Sequence, residues 1–233
     1  MIPHAMDFKK VAGNDTIRFH CSGCGECCRN LKNSAMLESL DVFRLARHFK
    51  ELGHPGGEID YLISEYAEVQ PINESGYPIF FLKTVGEKEE CVFLKDGRCN
   101  VYSARPRTCR LYPLSVGPGD KSADKNKSDF DYYLSLDRTS HLTGDAIRVS
   151  DWMCENFDSE AKAFIAYDYS TLPEIGKLVR KLKEPDLKRL VFVVMLYRYY
   201  EFDTAQDFMP QYMENTRKLR KVLIDMIRES EQQ

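Results

Sequence analysis

Four cysteines crowd into one short segment of the 233-residue chain, at Cys21, Cys24, Cys27 and Cys28. The spacing C-x2-C-x2-C-C lets a single tight turn direct several sulfurs toward one centre. Soft thiolates of this kind favour zinc, copper(I) and iron–sulfur clusters. Glycines between the cysteines permit the backbone conformations that such a turn needs. The segment therefore predicts a metal site.

The adjacent pair Cys27–Cys28 bears on the kind of metal centre. Side chains of neighbouring residues diverge, so two such thiolates would strain one mononuclear tetrahedral metal. They fit two irons of one cluster, or two separate centres, better than a single zinc. The spacing departs from the bacterial ferredoxin run, whose fourth cysteine would stand where this chain has Leu31.

Further cysteines bring the total to eight. The N-terminal residues carry no basic segment followed by a long apolar run, so we expect no secretory signal and a cytoplasmic location. Thiols stay reduced there, which argues against a disulfide framework. The remaining candidate ligands are Cys91, Cys99, Cys109 and Cys154, of which Cys154 is equally explained as a lone core residue.

An Asp96-Gly97 pair between two apolar runs predicts a β-hairpin. A two-residue turn would pair Leu94 with Cys99 and Cys91 with Tyr102. The two cysteines would then face opposite sides of the ribbon, whereas a longer loop would reverse this arrangement.

Two arginines flank Cys109 closely enough to act on a bound cofactor. Cations near thiolates lower the thiol pKa and stabilise an anionic cluster, which makes Arg107 and Arg110 candidate cofactor-binding residues. The alternative is that they pair with some of the 36 acidic residues. The histidines show no ligand spacing, and no Walker, G-x-G-x-x-G or G-x-S-x-G motif occurs.

Hydrophobic periodicity predicts an α+β fold that is mainly helical, with a small antiparallel β-hairpin region near the metal site. Thr171-Leu172-Pro173-Glu174 has the form of a capping box and predicts a helix start. Residues Gly117 to Asp129 are polar and predict a mobile loop. Further helices are expected from Ser39 to Gly53, over Ile59–Val69, over Leu187–Phe202 and over Tyr212–Ile227, and strands over Thr16–His20, Ile79–Thr84 and Phe130–Leu136.

No cysteine follows Cys154, which predicts two regions. Residues 1–155 would form a cysteine-cluster metal-binding domain, and residues 156–233 a helical region packed on it. The net charge of −3 predicts no attraction to nucleic acid, and no apolar run is long enough for a membrane span.

The motifs together resemble the CxxCxxCC cysteine-cluster (YkgJ-like) proteins, which are described as chelating zinc or iron and often as iron–sulfur proteins. The resemblance covers roughly residues 17–115, and it extends to Cys154 if that is the family's later cysteine. It implies that the seven preceding cysteines are ligands. The segments that carry it are Cys21-Ser22-Gly23-Cys24-Gly25-Glu26-Cys27-Cys28-Arg29, Cys91-Val92-Phe93-Leu94, Asp96-Gly97-Arg98-Cys99, Tyr102 and Arg105-Pro106-Arg107-Thr108-Cys109-Arg110.

Three functions follow as hypotheses. The first is a metal-binding protein with one or two iron–sulfur clusters, such as 4Fe–4S, that serves electron transfer or an accessory redox role with a protein partner. The second is a protein-modifying redox enzyme, because the family is similar to flagellin lysine N-methylases; no SAM pocket is visible in the sequence. The third is a structural zinc module that presents the C-terminal helices to a partner.

Overall fold

The computed structural model describes residues 7–21, 23–71, 77–119, 130–183 and 186–232. It confirms the predicted α+β class, because the described ranges contain helices together with several small antiparallel sheets. The α-helices there are α1 (Ser39–Glu51), α2 (Ile59–Tyr66), α3 (Arg107–Leu111), α4 (Val149–Asn156), α5 (Ser159–Val179), α6 (Leu187–Met195) and α7 (Phe208–Glu231).

The strands are short, and most belong to two- or three-stranded antiparallel sheets whose members are distant in sequence. One sheet has the order β1-β11-β10, another β3-β5-β4, and the pairs are β12-β2, β6-β7 and β8-β9. The strands are β1 (Phe8–Val11), β2 (Thr16–Arg18), β3 (Met36–Leu37), β4 (Ala67–Pro71), β5 (Pro78–Leu82), β6 (Thr84–Val85), β7 (Glu90–Cys91), β8 (Leu94–Lys95), β9 (Arg98–Cys99), β10 (Leu114–Pro118), β11 (Phe130–Ser135) and β12 (Ala146–Arg148).

Helix α1 lies between two hydrophobic clusters and contributes to both. Leu40 and Phe43 face the first cluster, which includes residues of β10, β11, α4 and α5. Val42 and Leu45 face the second, which includes residues of α2, β5 and β7. We call these clusters the first core and the second core. Helix α1 therefore packs on both cores, one on each of two faces.

A third cluster joins the end of α5 to α6 and α7. Beside it, the buried side chain of Arg198 donates to Asp168 at 3.0 Å and to the hydroxyl of Tyr212. Burial raises the pKa of Asp168 to about 6, and the charge of Arg198 opposes that shift. Arg198 belongs to a π-helical segment, Leu196–Tyr200, that follows α6. This polar network ties the C-terminal helices together inside an apolar environment.

Helix α1 ends as the sequence predicts, because Gly53 adopts a positive φ of 64° just beyond it. The sequence predicts Ser39 as the N-cap of this helix, but the cap lies one residue earlier. Glu38 caps the helix through a capping box with Asp41, and Ser39 is the first helical residue.

The helix start predicted at Thr171 is wrong. Helix α5 begins twelve residues earlier at Ser159, where Asp158 accepts from the amide of Ala161 at 2.8 Å, and Pro173 lies inside the helix. The hydroxyl of Thr171 donates back to the Tyr167 carbonyl at 3.1 Å instead of capping a new helix.

The predicted loop and the predicted second helix both differ in part from the structure. Gly117 and Pro118 belong to β10 rather than to a loop, and residues 120–129 of the predicted loop lie outside the described residues. Helix α2 ends at Tyr66, so Val69 belongs to β4.

The division of the chain into two regions at residue 155 stays a prediction. No helix in the described ranges combines the length and the apolar composition that a bilayer crossing requires.

Truncation of Leu45 should destabilise the second core. Its side chain is 0% exposed, so we expect Leu45→Ala to lower the free energy of unfolding by about 2–5 kcal/mol. Leu52, at the end of the same helix, is 65% exposed, and Leu52→Ala should change it by less than about 0.5 kcal/mol. Urea denaturation followed by circular dichroism measures both variants. Equal unfolding midpoints would contradict this description of the core.

Candidate metal centre

The first cysteine segment is a tight turn that follows β2. Gly23 and Gly25 adopt positive φ angles of 69° and 71°, which favour glycine. Gly25 then begins a short 3-10 helix, Glu26–Cys28, and its carbonyl accepts from the amide of Cys28 at 3.0 Å. The glycines therefore set the direction in which the cysteines leave the turn.

Strands β8 and β9 form the predicted hairpin with the predicted register. Leu94 pairs with Cys99, and the turn residues Asp96 and Gly97 have φ angles of 51° and 75°. Positive φ at both positions is the requirement of a type I′ turn. The prediction from the Asp-Gly pair is confirmed.

Gly25 brings the first turn into direct contact with this hairpin. A Cβ atom on Gly25 would lie 2.7 Å from the carbonyl oxygen of Gly97 and 2.8 Å from a methyl carbon of Leu94. Only glycine allows an approach this close. The contact joins the Cys21–Cys28 segment to the hairpin that carries Cys99.

Cys91 reaches the same region from a separate ladder. It pairs with Thr84 across β6 and β7, so the predicted pairing with Tyr102 is wrong. The chain turns at Val92–Phe93 before β8 begins, which separates Cys91 from the β8–β9 ribbon. Cys91 and Cys99 consequently line one cavity rather than opposite sides of one ribbon.

Helix α3 carries Cys109 and is held in place by the ion pairs of two arginines. Arg107 donates to both oxygens of Glu38 at 2.6 Å, and its amide donates to Asp41 at 2.7 Å. Arg110 donates to Asp158 at 3.1 Å, and Asp158 is the N-cap residue of α5. Both guanidinium groups therefore have carboxylate partners. Their predicted cofactor-binding role stays a prediction, whereas their positioning of α3 is a direct observation.

Six of the eight cysteines line one cavity of about 1230 Å³. The side chains of Cys24 and Cys154 are exposed and do not line it. Within the described ranges, no three carboxylate, imidazole or thiol groups are arranged to hold a single ion, so the sulfurs surround a space rather than one point. The cavity cysteines are Cys21, Cys27, Cys28, Cys91, Cys99 and Cys109.

The cavity cysteines draw on both cores. Cys21 packs against the first core, whereas Cys28, Cys91, Cys99 and Cys109 belong to or pack against the second. The cavity thus lies where the two cores meet.

Burial makes the thiols of this cavity difficult to ionise in the protein alone. It raises the pKa of Cys91 to about 11, and it raises the pKa of Cys99 above its ordinary value. Burial raises the pKa of Cys109 well above its ordinary value, and the neighbouring thiolates of Cys91 and Cys27 add to this effect. A bound cation would reverse this balance and release the protons.

The adjacent pair ionises differently. The sulfurs of Cys27 and Cys28 lie 3.9 Å apart. Their hydrogen bond lowers the pKa of Cys27 to about 6, and it raises the pKa of Cys28 because a second thiolate would stand beside the first. Cys27 is therefore the member of the pair that loses its proton more easily.

Arg138 is a cation beside the first turn that the sequence did not single out. Arg138 donates to the carbonyls of Glu26 and Arg29, which bracket the 3-10 helix, and its charge helps lower the pKa of Cys27. Arg138 lies far from the first turn in sequence, and no motif marks it.

Tyr102 and Arg105 form a second polar group at the cavity. The Tyr102 hydroxyl donates to the sulfur of Cys21 at 3.7 Å, and the Arg105 guanidinium lies 3.8 Å from the centre of the Tyr102 ring. The amide of Phe93 also donates to the sulfur of Cys91 at 3.4 Å. These contacts favour negative charge on the sulfurs.

The donor set fits a thiophilic metal. Six cysteine sulfurs around one cavity suit zinc or iron far better than magnesium or calcium, which prefer oxygen ligands. The residues that would hold the metal thus match its chemistry, although their number exceeds what one tetrahedral ion uses.

A family model described as "Putative zinc- or iron-chelating domain" matches residues 20–168. The match spans more than half of the chain, so the protein belongs to the CxxCxxCC family and carries a metal-chelating domain. The resemblance drawn from the cysteine motifs is confirmed. The relation to flagellin lysine N-methylases stays a prediction.

A curated relative shares part of this region. An uncharacterized protein of Methanocaldococcus jannaschii is 33% identical over 102 residues, which cover 43% of this chain and 47% of that protein. The match therefore spans about half the length of that relative. No solved structure matches the chain.

Addition of one methyl group at Gly25 should impair metal retention. We expect Gly25→Ala to lower the metal content per chain, because the new methyl would collide with Gly97 and displace the first turn from the hairpin. Elemental analysis of the purified protein and its melting temperature measure the effect.

Gly23→Ala is the matched control. Gly23 has nearly the same φ, but nothing lies within 4 Å of its Cβ position, so this variant carries only the backbone strain of about 1 kcal/mol. Equal metal loss in both variants would show that the contact with Gly97 has no part in forming the site.

Proposed function

We propose that the cavity cysteines hold an iron–sulfur cluster and that the protein serves electron transfer or an accessory redox role. One observation carries this proposal: six thiol groups from separate segments of the chain converge on a single cavity. Thiolates are the usual ligands of such clusters.

The number of the sulfurs favours a cluster over one zinc ion. A structural zinc site uses four ligands in a closed tetrahedron. The side chains of Cys27 and Cys28 do not diverge as expected, since their sulfurs stand 3.9 Å apart, so this pair alone does not favour a cluster. The six sulfurs around the cavity exceed the four that one zinc ion uses, whereas a centre with several metal ions can use more of them.

Charge around the cavity supports the same proposal. A thiolate-bound cluster is anionic, and hydrogen bonds and cations around its sulfurs tune its reduction potential. Arg105 and Arg138 both line the cavity, and the amide of Phe93 donates to Cys91. Such groups would stabilise the reduced, more negative state of a cluster.

The environment of the centre fits exchange with a redox partner. The cavity is partly open, and Cys24 beside it is exposed. We propose that a partner protein approaches this opening, and that the protein acts in a reducing compartment such as the cytoplasm, where thiol ligands are preserved.

The size of the cavity supports a protein-modifying redox enzyme as a second candidate. A volume of about 1230 Å³ exceeds that of ordinary small-molecule sites, about 300–1,000 Å³, and leaves room for a substrate side chain beside a metal centre. Methyl transfer from SAM to a protein lysine would favour this candidate. Absence of SAM binding by the reconstituted protein would remove its methylase form.

Anaerobic reconstitution with iron and sulfide tests the main proposal. We expect a brown protein with charge-transfer absorption and a Mössbauer spectrum of a cluster. Cys28→Ser and Cys109→Ser should lower cluster content severalfold, because both thiols line the cavity.

Cys154→Ser is the control, because Cys154 is exposed and lies outside the cavity. We expect that variant to retain its cluster; loss there would instead support Cys154 as the eighth ligand. Colourless protein with stoichiometric zinc after reconstitution would overturn the proposal in favour of the structural zinc module.

A further inference from the structure

A histidine lies on the wall of the cysteine cavity. His141 ends a short 3-10 helix, Thr139–His141, and lines the cavity together with the six cysteines. Among the histidines of the described ranges, it is the one that does so. His20 is adjacent to Cys21 in sequence but is exposed, and His54 accepts from the amide of Gly56.

One ring nitrogen of His141 is already held in place. Its Nδ1 lies 2.9 Å from the hydroxyl of Tyr112, which also lines the cavity. The Tyr112 ring packs edge to face on Phe19, with ring centres 5.6 Å apart. Within the described part of the chain, Nε2 has no hydrogen-bond partner. In histidine metal ligands, one ring nitrogen binds the metal and a hydrogen bond to the other nitrogen holds the ring in place.

The segment that carries His141 is fixed against the first cysteine turn. The carbonyl of Arg138 accepts from the amide of His141 at 2.9 Å, while the Arg138 side chain binds the carbonyls on both sides of the Cys27–Cys28 helix. A Cβ on Gly144 would lie 3.1 Å from the Cβ of His20, so the chain just beyond His141 also packs against the residue that precedes Cys21. These contacts fix the segment that places the imidazole on the wall of the cysteine cavity.

We propose that His141 supplies a nitrogen ligand to the metal centre through Nε2. The inference rests on the proposed metal function of the cavity and extends its ligand set to a mixed one of sulfur and nitrogen. In the tautomer that carries its proton on Nδ1, the Tyr112 hydroxyl accepts that proton's hydrogen bond and the lone pair of Nε2 is left for the metal. A neutral imidazole in place of a thiolate makes the centre less negative, and in clusters this exchange raises the reduction potential.

Pulsed electron paramagnetic resonance of the reconstituted, reduced protein tests this proposal. Protein with natural-abundance histidine should show a ¹⁴N coupling typical of a bound imidazole, and ¹⁵N-histidine labelling should convert it to a ¹⁵N coupling. The coupling should disappear in His141→Ala and in His141→Gln. His20→Ala is the control and should retain it.

Zinc titration gives a second readout that does not depend on a cluster. Tyr112→Phe keeps the ring packed on Phe19 but removes the partner of Nδ1, so we expect zinc affinity to fall about 10–100-fold. X-ray absorption of zinc-loaded protein should show a nitrogen neighbour that His141→Gln removes.

The outcomes separate this inference from the proposed function. Failure to bind iron or zinc would overturn the metal function itself. A cluster or zinc site with sulfur neighbours alone, or a nitrogen signal that survives in His141→Gln, would overturn the role of His141 and leave the cysteine centre intact.

Discussion

The contact between Gly25 and Gly97 determines where the two halves of the cysteine set meet. One glycine starts the 3-10 helix that carries Cys27 and Cys28, and the other closes the hairpin that ends at Cys99. Because no side chain separates their backbones, the two turns interlock at a distance that any Cβ on Gly25 would increase. Further bonds extend this junction, since the amide of Asn30 donates to the Lys88 carbonyl at 2.8 Å, just before β7.

After the contact between Gly25 and Gly97, the second constraint on the site is the electrostatic interaction among its buried thiols. Several thiols are buried near one another, and each resists ionisation because of burial and because its neighbours would also be charged. A metal changes the sign of that interaction, so the same burial that suppresses thiolates in the protein alone would strengthen their bonds to a cation. Metal affinity in such a site falls at low pH, because protons compete for the sulfurs.

Local signals in the sequence predicted the parts of the site that depend on local chemistry. The Asp96-Gly97 pair specified its own turn and register, because neighbouring residues alone determine these features. The clustered cysteines indicated a metal site, but half of the cavity cysteines come from other segments of the chain. Arg107 shows where local reasoning ends. Its nearness to Cys109 in sequence indicated a cofactor contact, but its guanidinium binds Glu38, which tertiary packing brings alongside.

Long-range partners could not be predicted for the same reason. Arg138 reaches the first turn, and His141 reaches the cavity, only because the sheets and cores fold that segment back toward them. Pro173 illustrates the opposite error: its sequence context has the form of a helix start, yet the apolar faces of α5 continue through it into the third cluster. Packing outweighed the local preference at that position.

The division of the candidate ligands between the two cores has a consequence for the whole molecule. Cys21 lies against the first core and four other cavity cysteines lie with the second, so a bound metal would cross-link the two cores at a second place besides the helix α1 that they share. Cross-links restrict the unfolded chain more strongly when they close long loops, and the loop from Cys21 to Cys109 spans more than a third of the sequence. Metal binding would then reinforce the coupling that α1 already provides, so removal of the metal would lower the melting temperature and make the unfolding of the two cores less cooperative.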